Sequence, residues 1–301
     1  MAGADERQQR RALERVLDLL RQVDPASTPP QIGDQVHRVV RQEVRDGDPY
    51  RAVKESSTQQ ALALYPRLQA LMAQTADRNP SADRNPLADH PPAGSEPAGG
   101  DQNPLAEPLE VGIRLSIAGN IIDLGPNREY DLLDTVQRVL AQPFAIDDGA
   151  AFRDALGRAR QVLYLADNAG ETVFDMLLIE VLELPVIYAV KGGPTLNDAT
   201  RDDALAAGLD RVADIVSTGS DAPGTILDRC SEEFRQLYSE ADMVIAKGQA
   251  NYETLSEEGA KVFLLLQAKC PVIARDLGVS VGSIVLKQGI SIKPYHQEES
   301  K

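Results

Sequence analysis

The sequence predicts an α/β protein: a three-layer α/β/α sandwich on a mainly parallel sheet, preceded by an N-terminal helical domain. Two observations carry this. Apolar side chains recur at helical spacing through residues 5–74, and beyond residue 160 short β-branched or aliphatic runs alternate with helical stretches. The spacing between those runs suits right-handed crossovers joining parallel strands.

In order, RALERVLDLLRQV places Leu13, Val16, Leu17, Leu20 and Val23 on one helical face. Pro29 and Pro30 precede a second helix with apolar positions at Val36, Val39, Val40 and Val44. Residues 46–50, DGDPY, read as a turn, because Pro49 disfavours helix at the residue before it. A third helix runs through QQALALYPRLQALMA, with a kink or interruption expected at Pro66. Residues 76–104 repeat ADRNP and are loaded with Pro, Gly, Asp and Asn, the composition of a disordered or loosely held insertion. PLEVGIRLSIAGNIIDLG then reads as a helix ending near Gly119, with Asn120 and Asp123 in the following turn. Strands are expected near 161–166, 185–191, 213–217, 242–247 and 262–267, and PVIARDLG and GSIVLK are expected to add strands at one edge. The implied division is a helical domain (1–75), the insertion (76–104), a helical connection completing the helical domain (105–145) and an α/β domain (146–301).

Composition narrows the function. The net charge of −15 opposes a nucleic-acid or anionic-membrane partner, and the scarcity of aromatics argues against base-stacking platforms. The two cysteines, Cys230 and Cys270, provide no disulfide framework, and Cys270 reads as a buried small apolar residue. The charged N-terminus lacks a signal core and no apolar run is long enough to span a bilayer, so a soluble, cytoplasmic protein is expected. His37, His90 and His296 all fall outside the alternating part, which disfavours histidine-based hydrolysis or a zinc site.

Four strand ends carry polar clusters. In a parallel sheet such ends gather along one edge, where ligands bind. LYLADNAGE supplies Asp167, Asn168 and Glu171; VKGGPTLNDAT supplies Lys191, Asn197 and Asp198; STGSDAPGT supplies Ser220 and Asp221; IAKGQANYE supplies Lys247, Gln249 and Asn251. Asp and Asn oxygens are hard donors suited to Mg²⁺ or Mn²⁺, although the same residues also cap helices. Asp198 is a candidate third oxygen ligand or an N-cap, and Asn197 a loop support or substrate contact. Lys247, closing a very apolar strand, needs an anion: a phosphate, or a site carboxylate in a salt bridge. Glu171 fits a supporting or substrate-side carboxylate. Gln249 and Asn251 extend the polar lip, Lys191 could simply reach solvent, and Gly219, Ser220 and Gly224 sit at an expected helix N-terminus.

The motifs DNAGE, KGGPTLNDAT, ADMVIAKGQANYETL and KCPVIA, with DPY plus Lys54 and AGNIIDLG upstream, resemble the damage-control phosphatase family. The likeness runs from about Asp48 to Leu286, apart from the insertion. It implies a phosphatase acting on small phosphorylated metabolites, including sugar phosphates, with Mn²⁺, Co²⁺, Ni²⁺ or Mg²⁺. On these motifs Asp167, Asn168 and Asp198 would bind metal, Lys247 would contact phosphate, and Glu171, Asn120 and Asp123 would stand on the substrate side. The CxxC pair that begins many relatives is absent here. Two other classes remain open: a non-catalytic, metal-dependent metabolite-binding protein and a protein carboxyl methyltransferase.

Overall fold

The computed structural model describes residues 5–25, 27–44, 47–77, 108–121 and 129–291; Asp123, His90, His296 and nearly all of the insertion lie outside them. Helices α1 (Glu6–Leu20), α2 (Pro29–Val44) and α3 (Arg51–Asp77) come first, followed by α4 (Pro108–Ile121) and α5 (Glu129–Ala141). The alternating part contains β1 (Phe144–Asp147), α6 (Gly149–Leu156), β2 (Val162–Leu165), α7 (Thr172–Leu182), β3 (Val186–Val190), α8 (Arg201–Ala207) and β4 (Asp214–Ser217). It continues with α9 (Glu232–Glu240), β5 (Met243–Lys247), α10 (Gly248–Leu255), β6 (Val262–Gln267), α11 (Pro271–Leu277) and β7 (Ile284–Gln288). This is an α/β fold with N-terminal helices and a seven-stranded, mostly parallel sheet flanked by helices.

The strand order is β1-β7-β6-β5-β2-β3-β4, with β6–β7 antiparallel and the other pairings parallel. Side chains alternate across a strand, so each strand serves two cores. Val162, Tyr164, Tyr188, Met243, Ile245, Phe263 and Leu286 join the core under α3, α4 and α7. Leu163, Leu165, Val244, Ala246, Leu264 and Val285 join the core under α9, α10 and α11. By the same parity Lys247, two residues beyond Ile245, turns toward α4 and α7. Helix α7 is buried on nearly every residue from Thr172 to Ile179 because it packs on α3 and α4 as well as over the sheet. Its sequence, apolar all round, fits that sandwiched position.

The five expected strands appear within a residue or two of their expected bounds. Several local expectations fail. PVIARDL forms α11 instead of a strand, with Pro271 at the first helical position, where its missing N–H costs nothing. β7 lies inside the sheet, since β1, a strand not anticipated, takes that edge. Helix α3 continues through Pro66 without interruption. α4 extends past Gly119 and places Asn120 in its last turn. Residues 218–226 form a loop rather than leading directly into a helix. On α1 the expected apolar face splits: Ala12 is buried, whereas Leu13, Leu17 and Leu20 are about half exposed. α1 packs mainly on α2, so one side of its leucine stripe faces outward.

Candidate active site

The residues at the ends of β2 and β3 are laced together by backbone bonds. The Ala199 N–H donates to the Asp167 carbonyl and the Ala169 N–H to the Asn197 carbonyl, each at 2.8 Å, and Asn168 bridges Asp198. Adjacent parallel strands bring their C-terminal loops side by side, which is why residues some thirty positions apart meet here. Asp167, Asn168 and Asn197 remain part-exposed, and Asp198 is buried behind them.

Side chains complete the lacing. The Asn168 amide donates to Asp167 Oδ2 (3.0 Å) and Glu171 Oε2 (3.2 Å), and its Oδ1 accepts from Asn197 (2.6 Å). From the end of α4, the Asn120 amide donates to Asp167 Oδ2 (2.5 Å) and Glu171 Oε2 (2.8 Å). Two carboxylates on one side of that amide fix its orientation, since the reverse flip would set oxygen against oxygen. Asn120 Oδ1 is then buried without a hydrogen-bond partner among the described residues.

Lys247 has no exposed surface, and its ammonium lies 2.5 Å from Glu171 Oε1, 2.7 Å from Asp175 Oδ1 and 3.0 Å from the Ser116 carbonyl. Burial works against its charge, yet Asp175 and Glu171 outweigh burial and hold the ammonium above the ordinary lysine range. A lysine has three N–H donors, and in this arrangement these three oxygens take them. The salt bridge expected from sequence is therefore present, and it is compatible with a phosphate contact by the same lysine.

The electrostatics mark the cluster. Burial, together with the nearby Glu171 and Asp198 charges, pushes the Asp167 carboxyl up to about 8, with Lys269 and Asn120 pulling the other way. Burial also raises Asp198 and Asp175, opposed chiefly by Lys191 and Lys247 respectively. Lys191 is buried rather than solvated, and its ammonium contacts the Gly224 carbonyl and lies 3.5 Å from Asp198. Carboxylates crowded in this way hold protons unless positive charge joins them.

Close approach is allowed by glycine at two points. Gly248 has φ +80°, and a Cβ there would fall 2.0 Å from Asp167 Oδ2. A Cβ on Gly170 would meet Ser57 of α3 at 2.8 Å, so α3 rests directly on the loop after β2. Lys54 reinforces that docking: fully buried, it lies 2.7 Å from both Asp48 and Asp203, and Asp203 caps α8 through Thr200. Arg41 of α2 similarly holds the Pro194 carbonyl at 2.8 Å and Asp221 at 2.7 Å.

The model of the damage-control phosphatase ARMT1-like domain matches residues 1–285. The chain belongs to this family. An uncharacterized protein of Methanocaldococcus jannaschii is 32% identical over 94% of this chain and 87% of its own length. A Pyrococcus horikoshii protein named damage-control phosphatase is 42% identical over 58% of this chain and 63% of its own length. The crystal structure of a DUF89 family protein from Pyrococcus horikoshii superposes with a TM-score of 0.75 at 31% identity, covering 95% of this chain and 91% of that one.

Within this family member, Gln249 and Asn251 hold scaffold. Gln249 Oε1 accepts the Lys269 and Cys270 N–H groups at 2.9 and 3.3 Å. Asn251 is buried, donating to the Ala166 and Lys247 carbonyls and accepting from Thr225. Asn251 is thus withdrawn from the polar lip expected from sequence, while Gln249 stays part-exposed. Cys270 is only half-buried and caps α11 through its sulfur, a weak acceptor for the Ile273 N–H. Sequence reasoning missed Asp175, Ser116 and Tyr164, which lie around Lys247, and Tyr188, which holds Asp175; strand parity was the available signal for the two tyrosines. It also missed Lys269, the cation near Asp167. Among the described residues no three His, Cys, Asp or Glu side chains form a ready cation cage, and none of the described helices is long and apolar enough to cross a membrane.

Proposed function

We propose that the chain is a phosphatase hydrolysing small phosphometabolites such as sugar phosphates, assisted by a divalent cation (Mn²⁺, Co²⁺, Ni²⁺ or Mg²⁺). One observation carries the reading. Four carboxylates, Asp167, Glu171, Asp175 and Asp198, cluster at the strand ends, with the buried ammonium groups of Lys191 and Lys247 among them. A divalent cation beside Asp167 and Asp198 would offset the mutual repulsion of these carboxylates.

The donor chemistry fits such an ion. Asp167, Asn168 and Asp198 would hold it with hard oxygens. The Asn168 oxygen has a second lone pair beside the one used by Asn197. Bound there, a divalent cation supplies positive charge against the phosphoryl oxygens.

The chain's own residues do the rest. Asn120 and Asn168 fix the Asp167 carboxylate from two sides, and Glu171 anchors both amides. Lys247 stands as the candidate phosphate contact that the family motif implies, and Lys269, half-buried after β6 and close enough to lower the Asp167 pKa, would add positive charge beside it. α2 and α3, tied to the loops by Arg41 and Lys54, hold the cleft walls in position. Asp123, outside the described residues, stays a candidate substrate contact.

The assay is phosphate release from a panel of small sugar phosphates with each of the four ions. Turnover should require the ion, stop on chelation and vanish in Asp167→Ala. Saturable ligand binding without phosphate release across the panel would replace this reading with that of a binding protein.

A further inference from the structure

We infer that Asp175 is a positioning residue: clamped by Tyr164, Tyr188 and Ser116, it fixes the Asp167 carboxylate through Lys247, Glu171 and Asn120. The inference rests on the reading of Asp167 as the centre of the site. Asp175 stands in the first turn of α7, where an acid usually meets solvent and the helix dipole, yet it has no exposed surface. Four hydrogen-bonding contacts account for it. Tyr188 donates to Oδ2 at 2.6 Å, while Oδ1 takes Tyr164 at 2.7 Å, Ser116 at 3.0 Å and Lys247 at 2.7 Å; Ser116 and Tyr164 also touch at 2.9 Å. Apolar side chains of equal volume would fill this space with less desolvation, so core stability alone does not explain a dry ionic cluster.

Its outlet leads to the site. Lys247, held from behind by Asp175 and the Ser116 carbonyl, reaches Glu171 Oε1 at 2.5 Å. The other Glu171 oxygen takes the Asn120 and Asn168 amides, and both of these also hold Asp167 Oδ2. Asp175 itself touches neither Asp167 nor its amide partners by any of these bonds; it acts through the lysine. Lysine alone, on a flexible stem, would follow Glu171 wherever it moved.

The test uses the full chain with Asp175→Asn, and Tyr188→Phe as a milder variant should the first not fold. Metal-free crystal structures are expected to show Glu171 withdrawn from Asn120 and the Asp167 carboxylate rotated. Calorimetry with Mn²⁺ should show affinity weakened about tenfold, typical of losing an outer support of a metal ligand. At saturating Mn²⁺ the KM for a sugar phosphate should stay at its wild-type value. A folded variant with Glu171, Asn120 and Asp167 unmoved overturns the inference, as does unchanged Mn²⁺ affinity where the wild type binds. Should the wild type bind no divalent cation, the proposed function fails, and the crystallographic comparison still decides the positioning role.

Discussion

The Asn120 amide stands 2.5 Å from the Asp167 carboxylate and joins the last turn of α4 to the loop after β2. The helical layer therefore supplies part of the candidate site. α4 presses on α7, α7 covers the sheet, and the polar ends of all three meet where β2, β3 and β5 stop. Four consequences can be measured.

Gly248→Ala should disable the site with little change elsewhere. The new methyl would fall 2.0 Å from Asp167 Oδ2, at a φ of +80° that alanine adopts only under strain. Displacing Asp167 by about 1 Å should lower kcat/KM on the order of 10²-fold. A Gly248→Ala enzyme with wild-type kinetics would show that Asp167 does not need this placement.

Lys247→Met should destabilise the protein by about 3–5 kcal/mol, because Glu171 and Asp175 would be left buried without their shared cation. Urea unfolding measures this. A loss below about 1 kcal/mol, the range of exposed pairs, would mean that water reaches this cluster.

Lys269→Ala should separate substrate binding from folding. Lys269 is half-buried and acts electrostatically on Asp167, so its removal should lower kcat/KM by about 10²-fold or more. The loss should grow smaller in Lys269→Arg. Steady-state kinetics on both variants, beside their melting temperatures, provide the check.

The cysteines should differ in reactivity. Burial pushes the Cys230 thiol up to about 11, opposed by Lys191 and Arg235, while Cys270 is half-exposed at the start of α11. At pH 8 iodoacetamide should modify Cys270 first. Labelling of Cys230 should rise only as pH approaches 11, since the thiolate is the reacting form. Mass spectrometry of timed samples distinguishes the two, and faster labelling of Cys230 would refute the burial.

Much of this was readable before any coordinates. β2, β3, β5 and β6 announce themselves by aliphatic runs closed by polar residues, and the polar ends converge because parallel strands share one C-terminal edge. What escaped has physical causes. β1, FAID, is four residues long with alternating exposure, too short for periodicity to register. PVIA in α11 is β-branched, but proline at the first helical position and a capping residue before it override propensity. For Lys247 the sequence offered a phosphate or a site carboxylate as partner; that Asp175 joins Glu171 there became visible only through the tertiary packing of α4 and α7. The leucines of α1 follow a helical repeat whether or not a second layer covers them, so periodicity alone could not tell which would be buried.

The most direct test of the cation reading is a crystal grown with Mn²⁺ and measured at an energy where manganese scatters anomalously. A single strong peak is expected within bonding distance, roughly 2.0–2.2 Å as for Mg²⁺-sized ions, of oxygens from Asp167, Asn168 and Asp198. A peak at other residues, or none at an ion concentration that supports phosphate release, would contradict it.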